Sequence, residues 1–299
     1  MRVFVTGASG HIGSAVIPEL LQAGHQVVGL ARSDAAAERV AARGAEVHRG
    51  DVFDPDGYLD ALAAADGVIH LAYDHSFSDM AEAAAKDLRA VKAMGERLAG
   101  TGKPLVATAG TLMLAMAAPG EIGLERHTLP AGPRIDTENA VIALADQGVR
   151  SSVVRLAPLV HSDLDHHGFG PTLIRIAREK GVAGYPGDGA NRWPGLNTRD
   201  AGRIYRLAVE SAPGGSRLHG VENEGYALRE IAETIGRRLG VPTASIGADD
   251  TAAYFGFLGG FIGLDNPTSN EATRKILGWE PEHPGLIEDL ERDHYFVEQ

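Results

Sequence analysis

Gly7, Gly10 and Gly13 stand at three-residue spacing in the stretch VFVTGASGHIGS of residues 3–14. That spacing suits one task, seating the pyrophosphate of a dinucleotide. Residues 3–5 are an apolar run long enough for one buried strand, and residues 15–21 continue as a helix. One glycine permits the tight turn, one lets the backbone approach a pyrophosphate, and one lets helix and strand pack closely. The free N–H groups of the helix's first turn then face the phosphates. Ser9, His11 and Ile12 complete the turn. Nineteen residues past Gly13, where an acidic side chain would grip the ribose hydroxyls of NAD, the chain carries Arg32 and Ser33. A guanidinium binds a 2′-phosphate through charge-assisted hydrogen bonds, and Ser9 can add a hydroxyl to it. NADP is therefore expected in preference to NAD; the alternative is Asp34 as a ribose ligand.

Other side chains have types suited to proton transfer or ligand binding. Tyr73 and His75 follow the fourth expected strand, His161 follows the sixth, and Tyr185 lies in a loop. A histidine near its ordinary pKa is the readiest proton donor, although each of these histidines is more often a loop residue than a chemical one. His161, Asp163, Asp165, His166 and His167 have the side chains of metal ligands, but no helical His-x-x-x-His spacing supports a site, and no metal is expected. Arg192 and Trp193, between glycines, offer a cation beside an aromatic plane for an anionic or polar ligand, or simply pack the lobe. Phe255, Phe257, Leu258 and Phe261 form an apolar wall, more often core than pocket. If it lines a pocket, it favours an apolar substrate.

The elements that must position these residues alternate through the first half. Strands are expected at 3–5, 26–31, 47–49, 67–72, 105–108 and 152–156. Helices are expected at 15–21, 58–65, 81–98 and 136–146. Such alternation predicts an α/β fold, a doubly wound parallel sheet of Rossmann type with right-handed crossovers. Its ligand crevice lies at the carboxyl ends of the strands. A dinucleotide-binding domain is assigned to residues 1–157, and a mixed region that completes the sheet and covers the substrate to 158–299. In that second region 199–212 and 228–239 read as helices, and 184–196 as a loop.

Composition narrows the partners. The 299 residues include no cysteine, which removes disulfides, thiolate nucleophiles and zinc–thiolate sites. A net charge of −12 argues against nucleic acid and membrane surfaces, both of which demand a basic face. The first strand begins at Arg2, with no room for a cleaved signal, and no apolar run reaches spanning length. A cytoplasmic protein acting on a small molecule is expected.

Taken together, TGASGHIG at 6–13, GDV at 50–52, HLA at 70–72, RLAPLV at 155–160, Asp200 in NTRDAGRIYRLA and LGWEP at 277–281 resemble an atypical or extended short-chain dehydrogenase/reductase, the group of NAD(P)-dependent epimerases and dehydratases. The resemblance spans nearly the whole chain. It implies that Asp51 and Val52 meet the adenine, that Leu71, Ala72 and Tyr73 line the cofactor, and that Pro158 and Val160 approach the nicotinamide amide. It also implies homodimerisation through two helices per subunit, which is common in that group.

The departures bear on the chemistry. That group uses a tyrosine four residues before a lysine, with a serine or threonine nearby; the lysine lowers the tyrosine's pKa. None of the seven tyrosines here has a lysine four residues on. Aligning the helix before the sixth strand puts Arg134 where the tyrosine belongs and Glu138 where the lysine belongs. Arginine stays protonated at neutral pH and cannot trade a proton. Asp87 takes the place of an asparagine in the long helix, and Thr108 or Thr111 that of the serine or threonine. The expectation is an NADPH-dependent reductase of a carbonyl or imine on a small, partly apolar molecule, with Thr108, Thr111, Tyr73, Asp87, Arg134 and His161 as catalytic candidates. The alternatives are an NADP-binding sensor without catalysis and a nucleotide-sugar epimerase or dehydratase.

Overall fold

Val3, Phe4 and Val5 are fully buried and alternate in direction: Val3 and Val5 join the core on one face of a sheet, Phe4 the core on the other. A strand covered on both faces reads as an unbroken apolar run, as parallel sheets require. The computed structural model describes residues 1–74 and 79–297, so His75 lies outside the described residues.

The first half runs β1 (Arg2–Thr6), α1 (His11–Gln22), β2 (Gln26–Ala31), α2 (Asp34–Ala42), β3 (Glu46–Arg49), α3 (Leu59–Ala64) and β4 (Gly67–His70). It continues through α4 (Met80–Leu98), β5 (Pro104–Gly110), α5 (Leu112–Ala117), α6 (Ile135–Ala143) and β6 (Arg150–Leu156). The second half holds β7 (Leu159–His161), α7 (Phe169–Lys180), β8 (Ala183–Pro186), β9 (Arg192–Trp193), β10 (Gly195–Asn197), α8 (Thr198–Ser211) and β11 (Ser216–Gly220). It closes with β12 (Tyr226–Ala227), α9 (Leu228–Leu239), β13 (Thr243–Ile246), α10 (Thr251–Phe255), α11 (Glu271–Leu277) and α12 (Leu286–Leu290).

Seven parallel strands form the main sheet in the order β11-β6-β5-β4-β1-β2-β3, the doubly wound order with its switch point beside β1. Helices α1 and α8 cover one face through Val16, Ile17, Leu20, Ala201, Ile204 and Tyr205. The other face carries Leu62, Met94 and Leu98 from α3 and α4. Strand β11 belongs to the second half of the chain but completes the sheet beside β6. Among the described residues no helix is long and apolar enough to cross a membrane.

Two expectations of local structure are corrected. Residues 184–196 are not merely a loop: they contribute β9 and β10 and most of β8, which pair with β12, β7 and β13 respectively. Each pairing partner is remote or short, so no local alternation announces it. Strand β4 stops at His70, because the Leu71 and Ala72 N–H groups turn onto the carbonyl and hydroxyl oxygens of Thr6 (3.3 Å each). The apolar stretch near residue 255 divides: Phe255 and Leu258 are core, whereas Phe257 stays 45% exposed beside Phe169 and Phe261.

Candidate active site

The turn between β1 and α1 has no room for side chains at two of its glycines. Gly7 has φ of +64°, and a Cβ there would lie 2.7 Å from the Ala72 nitrogen. A Cβ on Gly13 would lie 2.5 Å from the Ala8 carbonyl oxygen. The backbone thus folds tightly on itself, and α1 begins at His11 with Gly10 as its cap and no side-chain hydrogen bond at that cap. A nicotinamide dinucleotide fits this arrangement: the N–H groups of that turn would take the pyrophosphate. Ser9, Ile12, Leu71, Ala72, Pro158 and Val160 are all partly exposed around the carboxyl ends of β1, β4 and β6, whereas Val52 is buried. The Asp51 carboxylate accepts from the Phe53 N–H (3.0 Å), so part of its capacity serves its own turn.

At the ribose end Arg32 is exposed directly after β2. The Ser33 hydroxyl caps α2 by accepting from the Ala36 N–H (3.2 Å) and keeps its own hydrogen to donate. Asp34 is exposed and pairs with Arg49 (2.8 Å). Sequence reasoning missed Arg43. From just past the end of α2 its guanidinium donates to the Ala8 carbonyl (2.6 Å), which puts a second cation inside the glycine turn. Its position one residue before Gly44, which has φ of +87°, marks a helix terminus but does not reveal which way the chain folds back.

A second group of residues meets at the carboxyl ends of β4 and β5. Arg134 caps α6 in the left-handed region (φ 64°) and is the only non-glycine residue with positive φ among those described. Its guanidinium donates to the Thr108 carbonyl (2.9 Å) and lies over the Tyr73 ring, 3.9 Å from the centroid. The Thr108 hydroxyl donates to the His70 carbonyl (2.9 Å) and so accepts from the Tyr205 hydroxyl (2.8 Å). Tyr205 is fully buried, and burial pushes its phenol far above the ordinary range. Tyr73, Thr108 and Arg134 therefore share one corner, with Tyr205 behind them as a residue the sequence did not single out.

Other candidates are placed elsewhere. Thr111 is fully buried and accepts from the Asn266 side-chain amide (2.9 Å), so it ties the C-terminal region to the end of β5. Asp87 is buried against His70 (3.0 Å), whose other ring nitrogen meets the Thr6 hydroxyl (2.7 Å); this chain braces the turn that holds Ala72. Glu138, expected in the lysine's position, is buried between Arg155 (2.5 Å) and Arg217 (2.8 Å). Burial would raise its carboxyl, but the two guanidinium groups hold it below the ordinary value. His161 is 1% exposed and clamped between Asp289 and Glu222, each at 3.1 Å. Burial opposes its charge, yet the two carboxylates raise it to about 9, so it is a fixed imidazolium and not a donor facing a ligand.

The remaining cluster residues separate. Asp163 pairs with Arg199 (2.6 Å), and Asp165 binds the N–H groups of His167 and Gly168 at the start of α7. Among the described residues no group of three or more His, Asp or Glu side chains is disposed to hold a metal. Arg192 is engaged twice by Asp265, and Trp193 is completely buried, so this pair packs the lobe. Tyr185 is half-buried, with the Arg229 guanidinium 5.7 Å from its ring.

Comparison with known proteins bears on this geometry. A protein of Schizosaccharomyces pombe described only as uncharacterized is 43% identical over 298 residues, covering 99% of this chain and all of its own. A 2-alkyl-3-oxoalkanoate reductase of Stenotrophomonas maltophilia is 27% identical over 270 residues, 85% of this chain and 80% of its own. Among solved structures, the dTDP-glucose 4,6-dehydratase DesIV of Streptomyces venezuelae, with NAD bound, superimposes with a TM-score of 0.77 at 18% identity. That superposition covers 97% of this chain and 96% of DesIV, a likeness of fold. The profile of the NAD dependent epimerase/dehydratase family matches residues 3–218, and with the glycine turn and the strand order in place, the chain belongs to that family.

Proposed function

We propose that the protein is an NADPH-dependent reductase of a carbonyl, or of the corresponding imine, on a small and partly apolar molecule. The observation that carries this reading is Arg134, whose guanidinium is held by the Thr108 carbonyl and the Tyr73 ring where the family's proton-transfer pair would be expected. A bound nicotinamide dinucleotide supplies a hydride. The chain's own task is then to seat the acceptor and stabilise negative charge on its oxygen, which a fixed guanidinium does without giving up a proton. The proton comes from water. Tyr73 and Thr108 hold the cation in register.

Epimerisation and dehydration of sugar nucleotides need a group that gives and takes a proton, and Glu138 is buried away from that duty between two arginines. Arg32, exposed at the end of β2, and Arg43, inside the glycine turn, favour a 2′-phosphate and hence NADP. Phe257 and Phe261 beside Phe169 give the second region an apolar surface suited to an alkyl-bearing acceptor, the kind named for the Stenotrophomonas reductase. NADPH oxidation with a panel of aldehydes, ketones and 2-alkyl-3-oxo acids tests the proposal. Turnover with at least one acceptor is expected, and tight NADPH binding with no turnover across the panel would favour a sensor instead.

A further inference from the structure

The side chain of His11, inside the glycine turn, faces a carboxylate through a gap that lacks a proton. The Ser162 hydroxyl accepts from the Leu164 N–H and donates to the Thr198 hydroxyl (2.9 Å), which donates in turn to the His161 carbonyl (3.1 Å). Thr198 has then spent its only hydrogen, so the contact between its oxygen and His11 Nε2 (2.8 Å) has the ring donating. Neutral His11 therefore carries its hydrogen on Nε2 and presents a bare Nδ1 to Asp165 Oδ1 at 3.6 Å. Two acceptors confront each other there. The Asp165 side chain is fully buried, and its second oxygen has no hydrogen-bond partner. A Cβ on Gly168 would come within 2.6 Å of that oxygen, so the loop closes tightly on the carboxyl.

We propose that NAD(P) binding at the glycine turn captures one proton between His11 and Asp165. This rests on the cofactor reading above and adds a linkage to it. The added proton completes the missing hydrogen bond, on Nδ1 or on the carboxyl, and a pyrophosphate on the first turn of α1 favours the protonated form of either group. The surroundings hold both groups unprotonated near neutral pH in the free protein. Burial and the nearby His166, His161 and His167 keep His11 down at about 4. Burial lifts Asp165 to about 6, against the pull of the Gly168 and His167 N–H groups and of the His161 and His167 rings. Tyr295, from the C-terminal turn, Asp163 with its partner Arg199, His294 beside Asp289, and the Asp289 and Glu222 carboxylates that clamp His161 also pack around this corner. Because binding raises the pKa, affinity is complete below the free value and falls as the pH climbs through the bound one, by at most ~tenfold per pH unit.

Calorimetric titration of NADPH into the full chain, in two buffers of different ionisation enthalpy between pH 6 and 8.5, measures the proton directly. The wild type is expected to take up most of one proton near pH 7.5 and to bind more weakly as the pH rises. In Asp165→Asn the amide oxygen keeps the Gly168 and His167 N–H groups and the carboxyl that shares the proton is gone, so uptake falls by about one proton relative to wild type and the affinity profile flattens. His11→Gln, which leaves the α7 start intact, is expected to do the same. The 2′-phosphate titrates identically in all three proteins and cancels in the difference. Equal uptake in wild type and both variants, or tight wild-type binding with no proton exchange, overturns the linkage and leaves the cofactor reading standing. Absence of NADPH binding at every pH overturns both.

Discussion

The glycine turn and the corner around Arg134 both lie at the carboxyl edge of the sheet, yet they are built in opposite ways. The turn is a backbone device: Gly7 and Gly13 are required because any Cβ would strike main-chain atoms, and its ligand contacts would come from N–H groups that every residue possesses. The Arg134 corner is a side-chain device, assembled from Tyr73 after β4, Thr108 on β5, Tyr205 on α8 and Arg134 before α6. A backbone site tolerates change in its neighbours. A side-chain site changes its chemistry when one residue changes, and here none of the seven tyrosines has a lysine four residues on.

The largest effect should come from breaking the corner while sparing the turn. Arg134→Ala is expected to lower kcat/KM by ~10²–10³, the size of losing one oxyanion-stabilising donor, with NADPH affinity within about threefold of wild type. Arg134→Gly should lose as much activity, yet be more stable than Arg134→Ala by ~1 kcal/mol in urea unfolding, because glycine carries no cost at φ of 64°. Equal activity in wild type and Arg134→Ala would remove the corner from the mechanism.

A somewhat smaller effect sharpens the boundary between chemistry and packing. His161 is raised to about 9 from an ordinary 6.5, so its clamp stabilises the fold fully below about pH 6.5 and loses that contribution as the pH rises through about 9. Urea unfolding should therefore lose up to ~3 kcal/mol between pH 6.5 and 10, and His161→Gln should flatten that slope while retaining turnover at pH 7. Loss of turnover in a folded His161→Gln protein would return this residue to the active site.

The smallest expected effect tests the turn's outer rim. Arg32→Asp should weaken NADPH by about tenfold or more and leave NADH nearly unchanged, measured by cofactor fluorescence. Arg43→Ala should weaken NADPH less, because Arg32 remains. A Kd ratio of NADH to NADPH unaltered by Arg32→Asp would move the 2′-phosphate away from β2.

Much of the fold was legible because its signals are local. β2 and α9 have the expected bounds, residues 26–31 and 228–239, since apolar runs and helical spacing repeat within a few residues. The candidate site was legible unevenly. The glycine turn, the exposed place of Arg32 just after β2 and the lack of a tyrosine four residues before a lysine could be read directly. Asp87, Thr111 and His161 had suitable side chains and plausible positions, but burial turned each inward: onto His70, Asn266, and Asp289 with Glu222. Arg43 and Tyr205 were missed because their functional neighbours, Ala8 and Thr108, are distant in the chain.

What the residue order determined by itself was the parallel sheet, the dinucleotide turn and the absence of the usual acid–base pair, since each depends on periodicity, on glycine or on one residue type at one place. Only the tertiary structure decided which charged side chains face the crevice and which are spent on one another. Twelve histidines and sixty-eight charged residues can pair in many ways, and burial, by penalising every unpartnered charge, selects among pairings that no local pattern records.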